Sequence, residues 1–206
     1  MAEQQEQGWA NTGPWLFFAV AVLTACAGGW FGGLVPASSA PLLVGILLAC
    51  SLPQLIGAII LFRRGEILLA SIAGLFGTVI TLGAAFTIAI QVRWAPEPGA
   101  FTSEVMGFFW ITLFVITEVF AVGFGRASWF LMGGVAEVGV SFLFLGIYAL
   151  AGSPVGAAGY VEHGAALVGG YLLIIFAAFC IYSATAILWA EHFGRPMLPL
   201  GKPVFR

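Results

Sequence analysis

Long, nearly uninterrupted apolar stretches alternate with short polar punctuation along this chain. Six of them reach, or nearly reach, the roughly 20 mainly apolar residues a helix needs to cross a bilayer. They run from Pro14 to Leu34, Ala40 to Phe62, Ile67 to Gln91, Glu104 to Phe124, Ser128 to Ala151 and Ala165 to Ala190. None shows the every-second-residue alternation of a membrane β-strand. The pattern therefore predicts an all-α integral membrane protein: one bundle of six transmembrane helices over residues 14–190, with an N-terminal tail at 1–13 and a C-terminal tail at 191–206.

The second stretch is the most informative. It carries a polar, kinked interruption at Ser51, Pro53 and Gln54, returns to hydrocarbon, and stops at Arg63-Arg64-Gly65. Gln54 precedes Arg63 by nine residues. At about 1.5 Å per residue it sits roughly 13 Å inside the boundary, near the middle of a core about 30 Å thick. An amide at that depth needs a partner. One reading makes it a donor to a passing carboxylate; the other makes it the partner of backbone carbonyls freed by Pro53. Elsewhere the punctuation is conventional. Asn11-Thr12-Gly13-Pro14 reads as a cap followed by Pro near the first helical position, and Trp15 and Trp30 are placed for the two interfacial aromatic belts. Ala70, Ala73, Gly74 and Gly77, with the pairs Gly28-Gly29, Gly133-Gly134 and Gly169-Gly170, let helices approach closely. The turn Gly125-Arg126-Ala127 is short enough to make the fourth and fifth helices antiparallel neighbours.

Composition agrees: 61% of the 206 residues are hydrophobic, 8% are charged and the mean hydropathy is +1.07. The distribution of basic residues adds orientation. With six spans, one side carries Arg63, Arg64, Arg126, Arg195, Lys202 and Arg206, whereas the other carries Arg93. Short cytoplasmic loops are enriched in Lys and Arg, so both termini are expected in the cytoplasm. No basic stripe supports nucleic-acid binding. Glu3 and Glu6, with no Lys or Arg ahead of the first apolar run, do not resemble a cleavable signal. The outer loops, Val92 to Ser103 with Arg93, Trp94, Pro96, Glu97 and Pro98, and Gly152 to Gly164 with Glu162 and His163, are read as irregular segments. No internal repeat of the transporter kind is evident.

Ionisable groups inside the spans are few. Glu118 lies eight residues before Arg126 and Glu137 nine after Ser128. On neighbouring antiparallel helices both fall near mid-depth, which is expected to bring them close together. Such acids mark a proton or ion path by default, so both are proton-relay candidates. The alternative is a neutral, hydrogen-bonded carboxyl in helix or protomer packing. Cys26, Cys50 and Cys180 are odd in number, unpatterned and read as packing residues. Glu162-His163 and Glu191-His192 fall on opposite sides and form no metal site. The chain has no Asp, and neither His-Glu-x-x-His nor Gly-x-Ser-x-Gly occurs, which argues against an intramembrane enzyme and against a cofactor.

The closing segment, Phe193-Gly194-Arg195 followed by Leu198-Pro199-Leu200-Gly201, resembles that of the succinate–acetate permease family, also called the acetate uptake transporters. The likeness continues in the six helices, the Gln54 position, the basic turn with Gly65, Arg126, Gly170 and Ile181-Tyr182. It departs at the start, where the family's Asn-Pro-Ala-Pro-Leu-Gly-Leu is here Asn11-Thr12-Gly13-Pro14-Trp15-Leu16-Phe17. It departs again after the basic turn, where Gly-Asn-Thr-Phe-Gly is Gly65-Glu66-Ile67-Leu68-Leu69. The chain thus resembles a divergent member. The resemblance implies a hexamer in the plasma (inner) membrane, each protomer with its own path for a small carboxylate, acetate or succinate. It also implies a constriction of Phe, Tyr and Leu, mapping here to Val20, Phe76 and Val135, and a substrate path that includes Asn11 and Gln54. Counted from the helix starts, the three constriction positions lie roughly 9 to 15 Å from the cytoplasmic boundary, at one level with Gln54. Val in place of Phe and Leu makes a wider ring, which admits larger carboxylates or weakens gating by dewetting. The function expected is a permease or channel for acetate and similar carboxylates, passive or proton-coupled. The alternative is a non-transporting membrane stress or sensory protein.

Overall fold

The computed structural model describes residues 9–94, 101–102, 104–152, 154–155 and 164–205. Expectations that fall on Glu3, Glu6, Pro96, Glu97, Pro98, Glu162, His163 and Arg206 lie outside those residues. The six apolar runs are helices: α1 (Gly13–Phe31), α2 (Ala40–Arg63), a third span of α3 (Ile67–Leu75), a π-helical segment (Phe76–Leu82) and α4 (Gly83–Trp94), then α5 (Glu104–Phe124), α6 (Trp129–Leu150) and α7 (Gly164–Phe193). All six are long and apolar enough to cross a membrane, and the protein is a multi-pass membrane protein. One two-residue antiparallel pairing, Phe101–Thr102 with Pro154–Val155, is the only sheet among the described residues.

Several boundaries differ from the sequence reading, each for a local reason. α1 stops at Phe31 rather than Leu34, because Gly32 and Leu34 fold back on the carbonyls of Gly28 and Gly29, and Gly33 takes φ 66°. α7 continues through Glu191, His192 and Phe193, which sequence reading placed in the tail, and ends where Gly194 adopts φ 64°. α2 runs on through Pro53. The third span is not one α-helix; seven residues of i→i+5 winding interrupt it, a feature that often marks functional positions in helices. Trp30 is buried rather than interfacial, whereas Trp15 is exposed.

The spans form a closed ring. α5 packs on α6, α6 on α7, α7 on α1, α1 on α2, α2 on the third span, and α3 closes the ring against α5. Antiparallel α5 and α6 follow from their short turn. Ser128 caps α6, its Oγ accepting from the Phe130 and Leu131 amides at 3.0 and 3.2 Å and donating to the Leu200 carbonyl.

One end of the bundle gathers the basic residues. The Arg64 guanidinium donates to the Trp9 carbonyl and to Glu66 Oε1, and Arg63 lies over the Trp9 ring. The C-terminal segment is not a free tail. The Trp129 amide donates to the Lys202 carbonyl at 2.9 Å, Val204 N to Gly125 O at 2.7 Å, and Tyr182 Oη to Pro199 O at 2.9 Å. Gly201, at φ 86°, fits beneath the Trp129 indole, where any side chain would collide. Both ends of the described chain therefore lie at this basic end, as an even number of spans requires.

Candidate functional site

Because the ring is closed, its axis is a place where side chains from every span can meet without filling the space. A cavity of about 120 Å³ lies there, lined by residues of all six spans. Its walls are mostly hydrocarbon and aromatic. Phe31 meets Trp110 edge-on, Trp110 stacks on Phe142 at 5.4 Å, and Phe142 tilts against Phe76 at 6.0 Å. Polar side chains enter from α1 (Thr24), the π-helical segment (Thr81), α4 (Thr87, Gln91) and α6 (Tyr148). Among the described residues, no Lys, Arg, His, Asp or Glu lines it.

A second, smaller cavity of about 40 Å³ lies nearer the basic end, lined among the described residues by apolar side chains alone, from α1, α3, the π-helical segment, α5, α6 and α7. Val20, Phe76 and Val135 all line it. Phe76 is the one side chain shared by both cavities, so its ring stands between them. The described chain thus carries a larger chamber with some polar side chains in its walls and a smaller apolar one nearer the basic end, hereafter the outer and inner chambers, with the Phe76 ring between them. A carboxylate crossing the inner chamber would lose its hydration with no polar group in exchange, an unfavourable step that makes such a passage a barrier rather than a binding site.

Gln54 is fully buried and lines neither cavity. Its Nε2 donates to the Cys50 carbonyl at 2.9 Å and to Thr81 Oγ1 at 3.2 Å. Its Cβ lies against Gly77, which no larger residue could replace without displacing α2. Asn11 sits at the basic end, outside both cavities: its Oδ1 accepts from the Gly13 amide at 2.9 Å and its Nδ2 donates to Glu191 Oε1 at 2.5 Å. It thereby ties the start of α1 to the end of α7.

The two acids are not a pair. Glu118 lies over Gly139 of α6. Glu137 is two residues before Gly139 on the same helix, about 200° around its axis at 100° per residue. Sequence counting expected the two at similar depth and close together; along α6 they lie within two residues of one level, but on different faces of that helix. Neither lines either of the two axial cavities. Glu118 Oε1 and both Glu137 oxygens are buried without a hydrogen-bond partner among the described residues. Thr81, Trp110 and Phe142 were not singled out from sequence. An aromatic in mid-span is a weak signal for the last two. Nothing in the sequence separates Thr81 from the other span threonines, because its orientation depends on the π winding.

No family model matches the sequence, and no curated protein matches it. Among solved structures, the chain is similar to the bacterial acetate channel SatP, with a TM-score of 0.78 at 18% identity over 94% of this chain and 99% of that one. The two share a fold along nearly their whole lengths.

Proposed function

We propose that this protein is a membrane channel for acetate and similar small carboxylates, and a divergent member of the acetate uptake transporter family. The observation that carries the reading is the axial arrangement: a chamber formed by all six spans, partitioned by Phe76 from an apolar chamber that Val20 and Val135 also line. The shared fold with an acetate channel supports the same reading. Passive conduction is favoured over proton symport, because neither Glu118 nor Glu137 reaches the axis. The path lies within one protomer, with apolar residues such as Leu42, Val105 and Phe108 exposed on the outside for lipid or for further copies in a hexamer. The basic end faces the cytoplasm of a plasma (inner) membrane on the positive-inside rule.

The test is uptake of labelled acetate by liposomes containing the purified protein. Saturable uptake above that of empty liposomes supports the proposal. Uptake equal to empty liposomes rejects it in favour of a non-transporting membrane component.

A further inference from the structure

The hydrogen-bond pattern around Gln54 decides which side chain can meet a carboxylate. A carbonyl can only accept, so the Gln54 atom 2.9 Å from the Cys50 carbonyl must be the amide nitrogen. The same nitrogen gives its other hydrogen to Thr81 Oγ1. Both amide hydrogens are then spent, and the remaining atom, Oε1, is an acceptor, unable to serve an anion. Thr81 is in the opposite position. Its oxygen accepts from Gln54, so its own proton points elsewhere. The span threonines 24, 78, 112 and 185 return that proton to a carbonyl four residues back, at 2.7 to 2.8 Å. Thr81, like Thr87 farther along the chamber and Thr117 off it, makes no such bond among the described residues, but of the three Thr81 alone is oriented by a hydrogen bond from a buried amide.

The π winding explains the difference. With i→i+5 closure, Thr81 stands one turn above Phe76 on the same face, whereas in an α-helix five residues would rotate it about 140° away. Thr81 is fully buried, lines the outer chamber and lies beside the partition. Thr24, across the chamber, has its proton committed to Val20 O.

Resting on the channel reading above, we infer that the Thr81 hydroxyl is the donor that seats a monocarboxylate at the inner end of the outer chamber, and that Gln54 is a positioning residue holding it in that role. With no cationic side chain on the walls among the described residues, the site takes one carboxylate group, its alkyl part packed on Phe142 and Phe76. A dicarboxylate finds no cation for its second charge among the described wall residues.

The experiment combines two readouts on the purified protein: acetate binding by saturation-transfer NMR in detergent, and initial uptake rates in liposomes as a function of acetate concentration. Thr81→Val keeps shape and removes the donor, and a hydrogen bond to a charged group is worth about ten- to a hundredfold in affinity. It is expected to raise KM and Kd by that factor, and Thr81→Ser is expected to restore both to within about threefold. Gln54→Leu is expected to weaken binding less, and the double variant Gln54→Leu/Thr81→Val to be no worse than Thr81→Val alone, since the two act as one unit. Thr112→Val, on the exposed surface, is the control for losing any span hydroxyl. Parental binding with normal Thr81→Val affinity overturns the inference, as does an additive double variant, which would put Gln54 in direct contact. Parental binding lost in Thr81→Val but without uptake in any variant keeps the site and rejects the channel reading. A parent that binds no acetate overturns the site.

Discussion

The packing of α1 on α7 is the place where a single methyl group should matter most. A Cβ added at Gly170 would fall 2.7 Å from Gly32 Cα and from the Phe31 carbonyl carbon, and closer still to Gly32 N. Carbon atoms pack best at about 3.5–4.0 Å, so the helices must part by about 1 Å. The obstructing atoms are all backbone and cannot swing aside as a side-chain tip would. A radial gap of that size forfeits roughly a quarter to a half of each contact it opens, and overpacking of this kind costs about 1–3 kcal/mol. The gain from replacing a helical Gly with Ala, up to about 1 kcal/mol, opposes it. The expected net loss for Gly170→Ala is therefore up to about 2 kcal/mol, or up to roughly 8 °C in Tm for a chain of this size. Gly29→Ala is the internal control: nothing lies within 4 Å of its added Cβ, so only the propensity gain remains and Tm should hold or rise. Thermal unfolding in one detergent, followed by circular dichroism, measures both. Equal Tm values for the two variants would refute the claim that backbone contact sets the α1–α7 separation. Because α1 also carries Val20, Thr24 and Trp30 on the chamber walls, Gly170→Ala should alter acetate uptake as well.

Phe76→Ala joins the two chambers and should raise acetate uptake severalfold in liposomes while costing about 3–5 kcal/mol of stability; unchanged uptake would place the barrier elsewhere. Ser128→Ala removes the cap of α6 and a bond to the C-terminal segment, and should lose about 1–2 kcal/mol, read as a lower Tm; no change would mean that the segment alone holds this end of α6. Glu118→Gln and Glu137→Gln remove a titrating group without changing shape. At constant acetate-anion concentration their uptake-versus-pH profiles should match the parent, and a flattened profile in either would restore proton coupling through that side chain.

What was legible in the sequence was distance along the helix axis. The dibasic stop at Arg63-Arg64, the cap at Ser128 and the Pro at position 14 each mark a boundary, and 1.5 Å per residue carries that boundary inward with little accumulated error. This is why Val20, Phe76 and Val135, counted along three different spans, line one small cavity. The docking of the C-terminal segment was not legible. It depends on Gly201 reaching a positive φ beneath Trp129, a tertiary fit between positions 72 residues apart that no local pattern announces.

Rotation about the axis is a different quantity, and the sequence of a membrane helix encodes it poorly. In a soluble helix the polar stripe reports azimuth; here both the lipid face and the core face are apolar, so the stripe is absent. Glu118 and Glu137 show the consequence: they lie at similar levels, yet Glu118 sits over Gly139 and Glu137, two residues earlier, is about 200° around α6 from it. The third span adds a second uncertainty, because seven residues of π winding advance by less than 100° each and reset the azimuth of everything after Phe76. Counting α-helical turns from Glu66 puts Thr81 on the wrong face. With the π turn in place it stands above Phe76 with its proton uncommitted, while Gln54, the polar residue that depth alone singles out, is turned to the helix backbone. The residue that composition makes conspicuous is thus the support, and the inconspicuous threonine it holds is the one in reach of the chamber.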